Sequence, residues 1–165
     1  MNIKRFLKHF WLGSLAVKRC LPDHAMDNIE LAIKQGEQSH AGQICFAVEA
    51  SLDWPDLWAN KSARQRAIEV FSQLRIWDTE QNNGVLVYLL LADRDIEIVV
   101  DRGVNAKLGN QVWEKICHDM EVKFRDGRFE QGVIEGMCHI SQNLAEHYPC
   151  ANKTINELPD KPVLI

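Results

Sequence analysis

The sequence predicts an α/β fold, a mixed sheet in which a βαβ unit runs into a hairpin, with amphipathic helices against it. Three observations predict it. Val85 to Leu91 is an unbroken apolar run opened by Asn82-Asn83-Gly84 and closed by Asp93-Arg94-Asp95, which reads as a strand buried on both faces. Ile96, Ile98 and Val100 then alternate with Glu97, Val99 and Asp101, the pattern of a strand nearer the sheet edge. The link between the two is short and polar, so they should pair antiparallel as a hairpin, with 84–91 central. Upstream, Ile44-Cys45-Phe46-Ala47-Val48 reads as another buried strand. The long crossover from it to the strand at 85–91 makes a βαβ unit, whose strands run parallel.

The helices follow in chain order. Ile3, Phe6, Leu7, Phe10, Trp11 and Leu15 recur at helical spacing among Lys4, Lys8 and Lys18. This predicts an N-terminal amphipathic helix over residues 1–20. Its apolar stripe is expected to pack on its own domain or on a twin subunit in a homodimer; the competing reading lays the basic helix on an anionic membrane surface. The stretch has no signal-peptide cleavage pattern, and no segment supplies the roughly 20 apolar residues of a spanning helix. A second helix starts at Pro22-Asp23 with Asp23 as N-cap and buries Met26, Ile29, Ala32 and Ile33. In the crossover, Ser62 and Gln65 have capping-box spacing ahead of Ala63, Ala67, Val70, Phe71 and Leu74. After Asp101 two more helices are expected. One is capped by Asn110, with stripe Trp113, Ile116, Cys117, Met120 and Phe124. The other runs from about Arg128 to His147, where Gly132 and Gly136 mark a close helix contact. The tail from Pro149 lacks periodicity and is expected to be loosely held. The chain thus divides into an N-terminal helix (1–20), an α/β domain (21–149) and a C-terminal tail (150–165).

Composition removes several function classes. The net charge of −4 gives no case for nucleic-acid binding. The five cysteines are scattered without a Cys-x-x-Cys pair and read as reduced thiols of a cytoplasmic protein. There is no Gly-x-Ser-x-Gly elbow, no phosphate-binding Gly-x-x-x-x-Gly-Lys loop and no His-x-x-x-His zinc spacing.

Strand polarity locates the candidate site. Two parallel strand starts and one antiparallel finish meet at one sheet end. That end gathers Glu37, His40 and Gln43, then Asp78, Asn82 and Asn83, then Asp101 and Arg102. Oxygen ligands converging from several loops suit a hard cation, Ca²⁺ or Mg²⁺, although Asp and Asn are also simply good turn formers. The opposite end gathers Glu49, Asp53, Asp93 and Asp95, of which the last two read as hairpin residues.

The chain resembles the TPM domain family, which includes thylakoid-lumen proteins described as acid phosphatases. The resemblance rests on His40 to Glu49, Ala67 to Asp78, Asn83 to Leu89, Asp93 to Gly103 and Phe129 to Gly132, in that order and spacing, and covers about residues 20–149. It implies a three-layer α/β/α sandwich around a small mixed β-sheet, here with an added N-terminal helix, in the short bacterial single-domain form. It also implies an acidic pocket where some relatives bind a divalent metal. Carried over by position, its ligands are Asp78, Asn83, Asp101 and Gln43. Relatives commonly have Glu at the position of Gln43 and Asp at that of Asn83, so this chain has fewer charges there. The expected function is a binding module acting on a protein partner or membrane-protein complex, cytoplasmic or peripheral at the membrane surface. The alternative is a metal-assisted phosphomonoester hydrolase in which Asp78 and Asp101 hold the metal and Arg102 holds the phosphate.

Overall fold

The computed structural model describes residues 3–11, 13–150 and 156–165. Its helices and strands, in chain order, are α1 (Ile3–Trp11), α2 (Ser14–Cys20), α3 (Asp23–Gly36), β1 (Gln43–Glu49), α4 (Trp54–Trp58), α5 (Ala63–Gln73), β2 (Gly84–Leu90), β3 (Asp95–Val100), α6 (Arg102–Leu108), α7 (Asn110–Arg125), α8 (Phe129–His147) and β4 (Val163–Leu164). The strands form one mixed sheet in the order β3-β2-β1-β4. β1 and β2 run parallel from Gln43↔Gly84 to Glu49↔Leu90. β2 and β3 run antiparallel from Val85↔Val100 to Leu90↔Asp95. The expected hairpin, the βαβ unit and the central place of β2 are all present.

The period of two in the strands builds the sandwich. Ile44, Phe46, Val48, Val85, Val87, Leu89, Ile96 and Ile98 face a core shared with α2, α3, α7 and α8. Cys45, Ala47, Leu86, Tyr88, Leu90 and Val99 face a second core shared with α4 and α5. β2 is therefore apolar at every position because both its faces are covered. Gly132 and Gly136 bring α8 against α7, where a Cβ at Gly132 would lie 2.8 Å from the Phe124 ring and one at Gly136 would overlap Met120. On α5 the Ser62–Gln65 capping box is complete.

Several local expectations differ from the structure. α3 begins at Asp23 itself, with Pro22 as its extended N-cap at φ −64° and ψ 168°, and Asp23 sets its negative charge in the first turn. α7 starts at Asn110 behind Gly109, whose φ of 72° only glycine adopts without strain. An additional helix, α6, follows Asp101 directly, and the Asp101 side chain caps it. The tail was expected to be loosely held, yet its end adds β4 to the sheet, pairing with β1 at Ala47↔Val163 and Val48↔Leu164. A two-residue strand is too short to leave a periodic signature.

The N-terminal segment differs most. It forms two helices with Gly13 between them, extended at φ −102° and ψ −174°. The expected apolar stripe is not the buried face. Leu7, Phe10, Trp11 and Leu15 are exposed, Phe6 of the expected stripe packs inward, and the side chain of Ile3 lies outside the described residues. The helix is held by polar contacts instead. Arg5 Nε donates to Asp93 Oδ2 at 2.9 Å, and His9 Nε2 lies 3.1 Å from Asp93 Oδ1. His9 Nδ1 accepts from the Leu52 N–H at 2.9 Å, so the ring's proton sits on Nε2 and is donated to Asp93. These bonds satisfy a buried imidazole completely, which apolar periodicity cannot forecast.

At the far end of the sheet Glu49 is also committed. Arg66 binds it through two nitrogens at 2.9 and 3.1 Å, and Tyr88 Oη donates to it at 2.6 Å. With Asp93 held by Arg5 and His9, the second acidic cluster is in large part structural.

Burial raises the Asp93 pKa, but the hydrogen bonds from His9 and Arg5 outweigh it and hold the carboxyl below its ordinary range. Its contribution is therefore present above the ordinary carboxylate pKa and lost as pH falls through the depressed value. Asp93→Asn should weaken the docking of α1 by about 1–3 kcal/mol. The expected readout is faster amide exchange at Leu52 and quicker proteolysis near Gly13, with the sandwich still folded; unchanged exchange at Leu52 would refute the role given to Asp93.

Candidate functional site: the sheet end at Asn83 and Asp101

Gln43 pairs with Gly84, and the Asp101 N–H donates to the Gly84 carbonyl at 2.9 Å, so both neighbours of Gly84 across the sheet end in candidate residues. Close approach is built in. A Cβ on Gly84 would collide with the Ile76 carbonyl, and one on Gly103 would lie 2.5 Å from the Asn82 carbonyl and 3.2 Å from Tyr148 Oη. Asn82 itself has φ 50°, a left-handed conformation that asparagine tolerates.

Asn83 is buried, and one backbone and one side-chain bond hold it. Its N–H donates to Thr79 Oγ1 at 3.1 Å, and its Nδ2 donates to the Ala41 carbonyl at 2.6 Å. Its Oδ1 is left buried without a partner. Asp101 is also buried. Its Oδ1 accepts from the Arg102 N–H at 2.6 Å, the α6 cap, and its Oδ2 is buried without a partner. Tyr148, packed beside this end, has its phenol raised by burial and, second, by the Asp101 carboxylate.

The remaining candidates are placed differently. Gln43 is buried, but its Oε1 already accepts from the backbone N–H groups of Glu157 at 2.7 Å and Leu158 at 3.2 Å. It anchors the C-terminal segment across the sheet end. Asp78 is exposed on the turn after α5, and its side chain has no hydrogen bond or ion pair among the described residues. Arg102 is exposed likewise, with its side chain in no ion pair among the described residues. The structure thus sets Asn83 beside Gly84 in the chain and Asp101 beside it across the sheet, and leaves Asp78 and Arg102 in solvent.

Two titratable neighbours complete the environment. Glu37 Oε1 accepts from the Ile44 N–H at 2.9 Å, and burial first, with Asp160 nearby, raises its pKa to about 7. His40 is fully buried, and burial lowers its pKa to about 4. Its Nδ1 faces the Gly42 carbonyl at 3.0 Å and so carries the proton, which leaves Nε2 a bare lone pair with no partner. Sequence reasoning did not find Tyr148 or the tail residues at 157 and 158, because they reach this end only through the tertiary path of α8 and the tail.

The fit to a divalent cation is partial. Two buried, unpartnered oxygens, Asn83 Oδ1 and Asp101 Oδ2, are suitable hard ligands and carry one negative charge between them. Among the described residues, no group of three or more His, Cys, Asp or Glu side chains is arranged to hold a metal.

Glu37 gives a pH dependence of known sign. A carboxyl raised to about 7 binds its proton more tightly in the folded state, so it contributes stability at low pH that is lost as pH rises from its ordinary value through about 7. Glu37→Gln keeps the acceptor for Ile44 and removes the titration. Denaturant midpoints across this window should fall with pH more steeply in the parent than in the variant; parallel curves would show that Glu37 titrates normally.

The comparisons agree with this fold. A family model described as the TPM domain matches residues 18–143. The solution structure of the BA42 protein from the psychrophilic bacterium Bizionia argentinensis is 26% identical, with 86% of this chain and 93% of that one covered and a TM-score of 0.76. The N-terminal domain of a P. gingivalis protein shares the fold at 19% identity and a TM-score of 0.60, covering 78% and 79% of the two chains. No curated protein matches. Matched by the family model over most of its length, the chain belongs to the TPM domain family.

Proposed function

We propose that the protein is a non-catalytic binding module that acts in the cytoplasm on a protein partner or membrane-protein complex, with a weak Ca²⁺ pocket formed by Asn83 and Asp101. One observation carries the reading: Asn83 Oδ1 and Asp101 Oδ2 are both buried at one sheet end and both lack a partner. Buried oxygens are normally satisfied, and the exceptions call for a water, an ion or a ligand. Ca²⁺ suits them better than Mg²⁺, because it accepts irregular geometry and completes its shell with carbonyls and water, whereas Mg²⁺ demands a near-ideal octahedron. A single carboxylate supports only modest affinity, in the range of about 10⁻⁴–10⁻³ M. Free thiols at Cys20, Cys45, Cys117 and Cys138 support a reducing compartment. The enclosure of His40 Nε2 supports binding over hydrolysis, since this imidazole is sealed from a substrate.

Calorimetry with Ca²⁺ tests the pocket. The parent should bind weakly, Asp101→Asn should abolish binding while keeping the α6 cap, and Asn83→Asp should tighten it by adding a charge. Gln43→Glu should change little, because that oxygen is taken by Glu157 and Leu158. An Asp101→Asn variant that binds like the parent would remove the pocket, and phosphomonoester hydrolysis that depends on Arg102 would replace the binding reading with the enzymatic one.

A further inference from the structure

The face of α1 that the domain leaves uncovered is large, aromatic and basic. Phe10 is 69% exposed and Trp11 80%, and Leu15, at the start of α2, is 81% exposed. Leu7 and Trp11 stand one helical turn apart, so they share this face with Phe10. The surface does not end with the helix. The Phe6 ring meets Trp54 edge to face at 4.9 Å and Trp58 at 6.0 Å, and both tryptophans are themselves more than half exposed. Two segments distant in sequence therefore build one apolar patch, of the kind that marks an interaction surface.

Charge identifies what the patch meets. The first 22 residues hold five Lys and Arg and no Asp or Glu, in a chain whose net charge is −4. Arg5 is spent on Asp93, but Lys8, Lys18 and Arg19 are exposed and form no ion pair among the described residues. Two copies meeting through this face would set these cations against their own images. An anionic bilayer surface offers phosphate to the cations and an interfacial zone in which Trp and Phe are favoured. No helix among the described residues is long and apolar enough to cross a membrane, so the contact is with the surface.

We propose that α1, with Trp54 and Trp58 of α4, docks the protein on an anionic lipid surface, Phe10 and Trp11 entering the interface and Lys8, Lys18 and Arg19 contacting the headgroups. The Arg5–Asp93–His9 contacts fix the helix so that this face points away from the sandwich. Docking does not depend on the Ca²⁺ pocket, and the two are tested separately.

The test is flotation of the full chain, with chelator present, on vesicles of phosphatidylcholine alone and of phosphatidylcholine mixed with phosphatidylglycerol. Binding is expected only to the anionic vesicles and should fall with added salt. Each of Lys8→Glu and Lys18→Glu should weaken it by at least about fivefold, the equivalent of roughly 1 kcal/mol for a basic residue near an anionic surface. Phe10→Ser with Trp11→Ser should weaken it by at least about tenfold. All four side chains are exposed, so circular dichroism and melting should match the parent. Brominated acyl chains should quench tryptophan fluorescence in the parent and less so in a Trp11→Phe variant. No binding, equal binding to neutral vesicles, or undiminished binding of the Phe10→Ser/Trp11→Ser protein would each overturn the proposal. A concentration-dependent dimer lost in that protein, without vesicle binding by the parent, would assign the face to a second copy instead.

Discussion

Everything in this molecule depends on β2 being buried on both faces and paired on both edges. Seven consecutive residues, Gly84 to Leu90, are fully enclosed. At roughly 1.5–3 kcal/mol for each fully buried large apolar side chain, this strand is a large local source of stability. That burial is available only if a partner strand lies on each side and a helical layer covers each face. β1 supplies one edge in parallel and β3 the other antiparallel. The parallel partner forces the long crossover through α4 and α5, and the antiparallel one needs only a short turn. The three-layer arrangement follows from one strand's demand for cover.

The same constraint creates the site. Parallel and antiparallel neighbours around one strand place the start of β1, the start of β2 and the finish of β3 together, and Gly84 is the point where their backbones meet. Its neighbours Asn83 and Asp101 are held by backbone bonds that the sheet itself requires. Their spare oxygens are buried as a consequence, without any bond of their own. The opposite end shows the contrast. Glu49 is gripped by Arg66 and Tyr88, and Asp93 by Arg5 and His9, so the carboxylates there are used up in holding α5 and α1. Two acidic ends that look alike in sequence differ because only one has cations folded onto it.

Legibility followed the range of the interactions. β2, β3, the stripe of α7 and the span of α8 were readable because side-chain period is a local property of the chain, and Ser62 with Gln65 because a cap spans one turn. That Asn83 and Asp101 lie at one sheet end was readable because strand polarity is a short topological inference. What the sequence did not reveal depends on contacts between distant segments. Gln43 was expected to offer its oxygen to a metal, and the tail at Glu157 and Leu158 takes it. β4 is two residues long and is defined by its partner alone. The stripe of α1 has the right period but is not covered by its own domain, since amphipathicity says that a helix has an apolar face but not what covers it. Here Asp93 and Leu52 captured Arg5 and His9, and the aromatic face was left outside.

The central claim is that Asn83 Oδ1 and Asp101 Oδ2 are unpartnered because they belong to a cation. A crystal structure of the full chain grown with Ca²⁺ and phosphate tests this most directly. The account predicts one calcium ion touching both oxygens, with carbonyl and water oxygens completing its shell and no phosphate on Arg102. An ordered water bridging the two oxygens with no calcium at this end, or phosphate bound at Arg102 in its place, would contradict it.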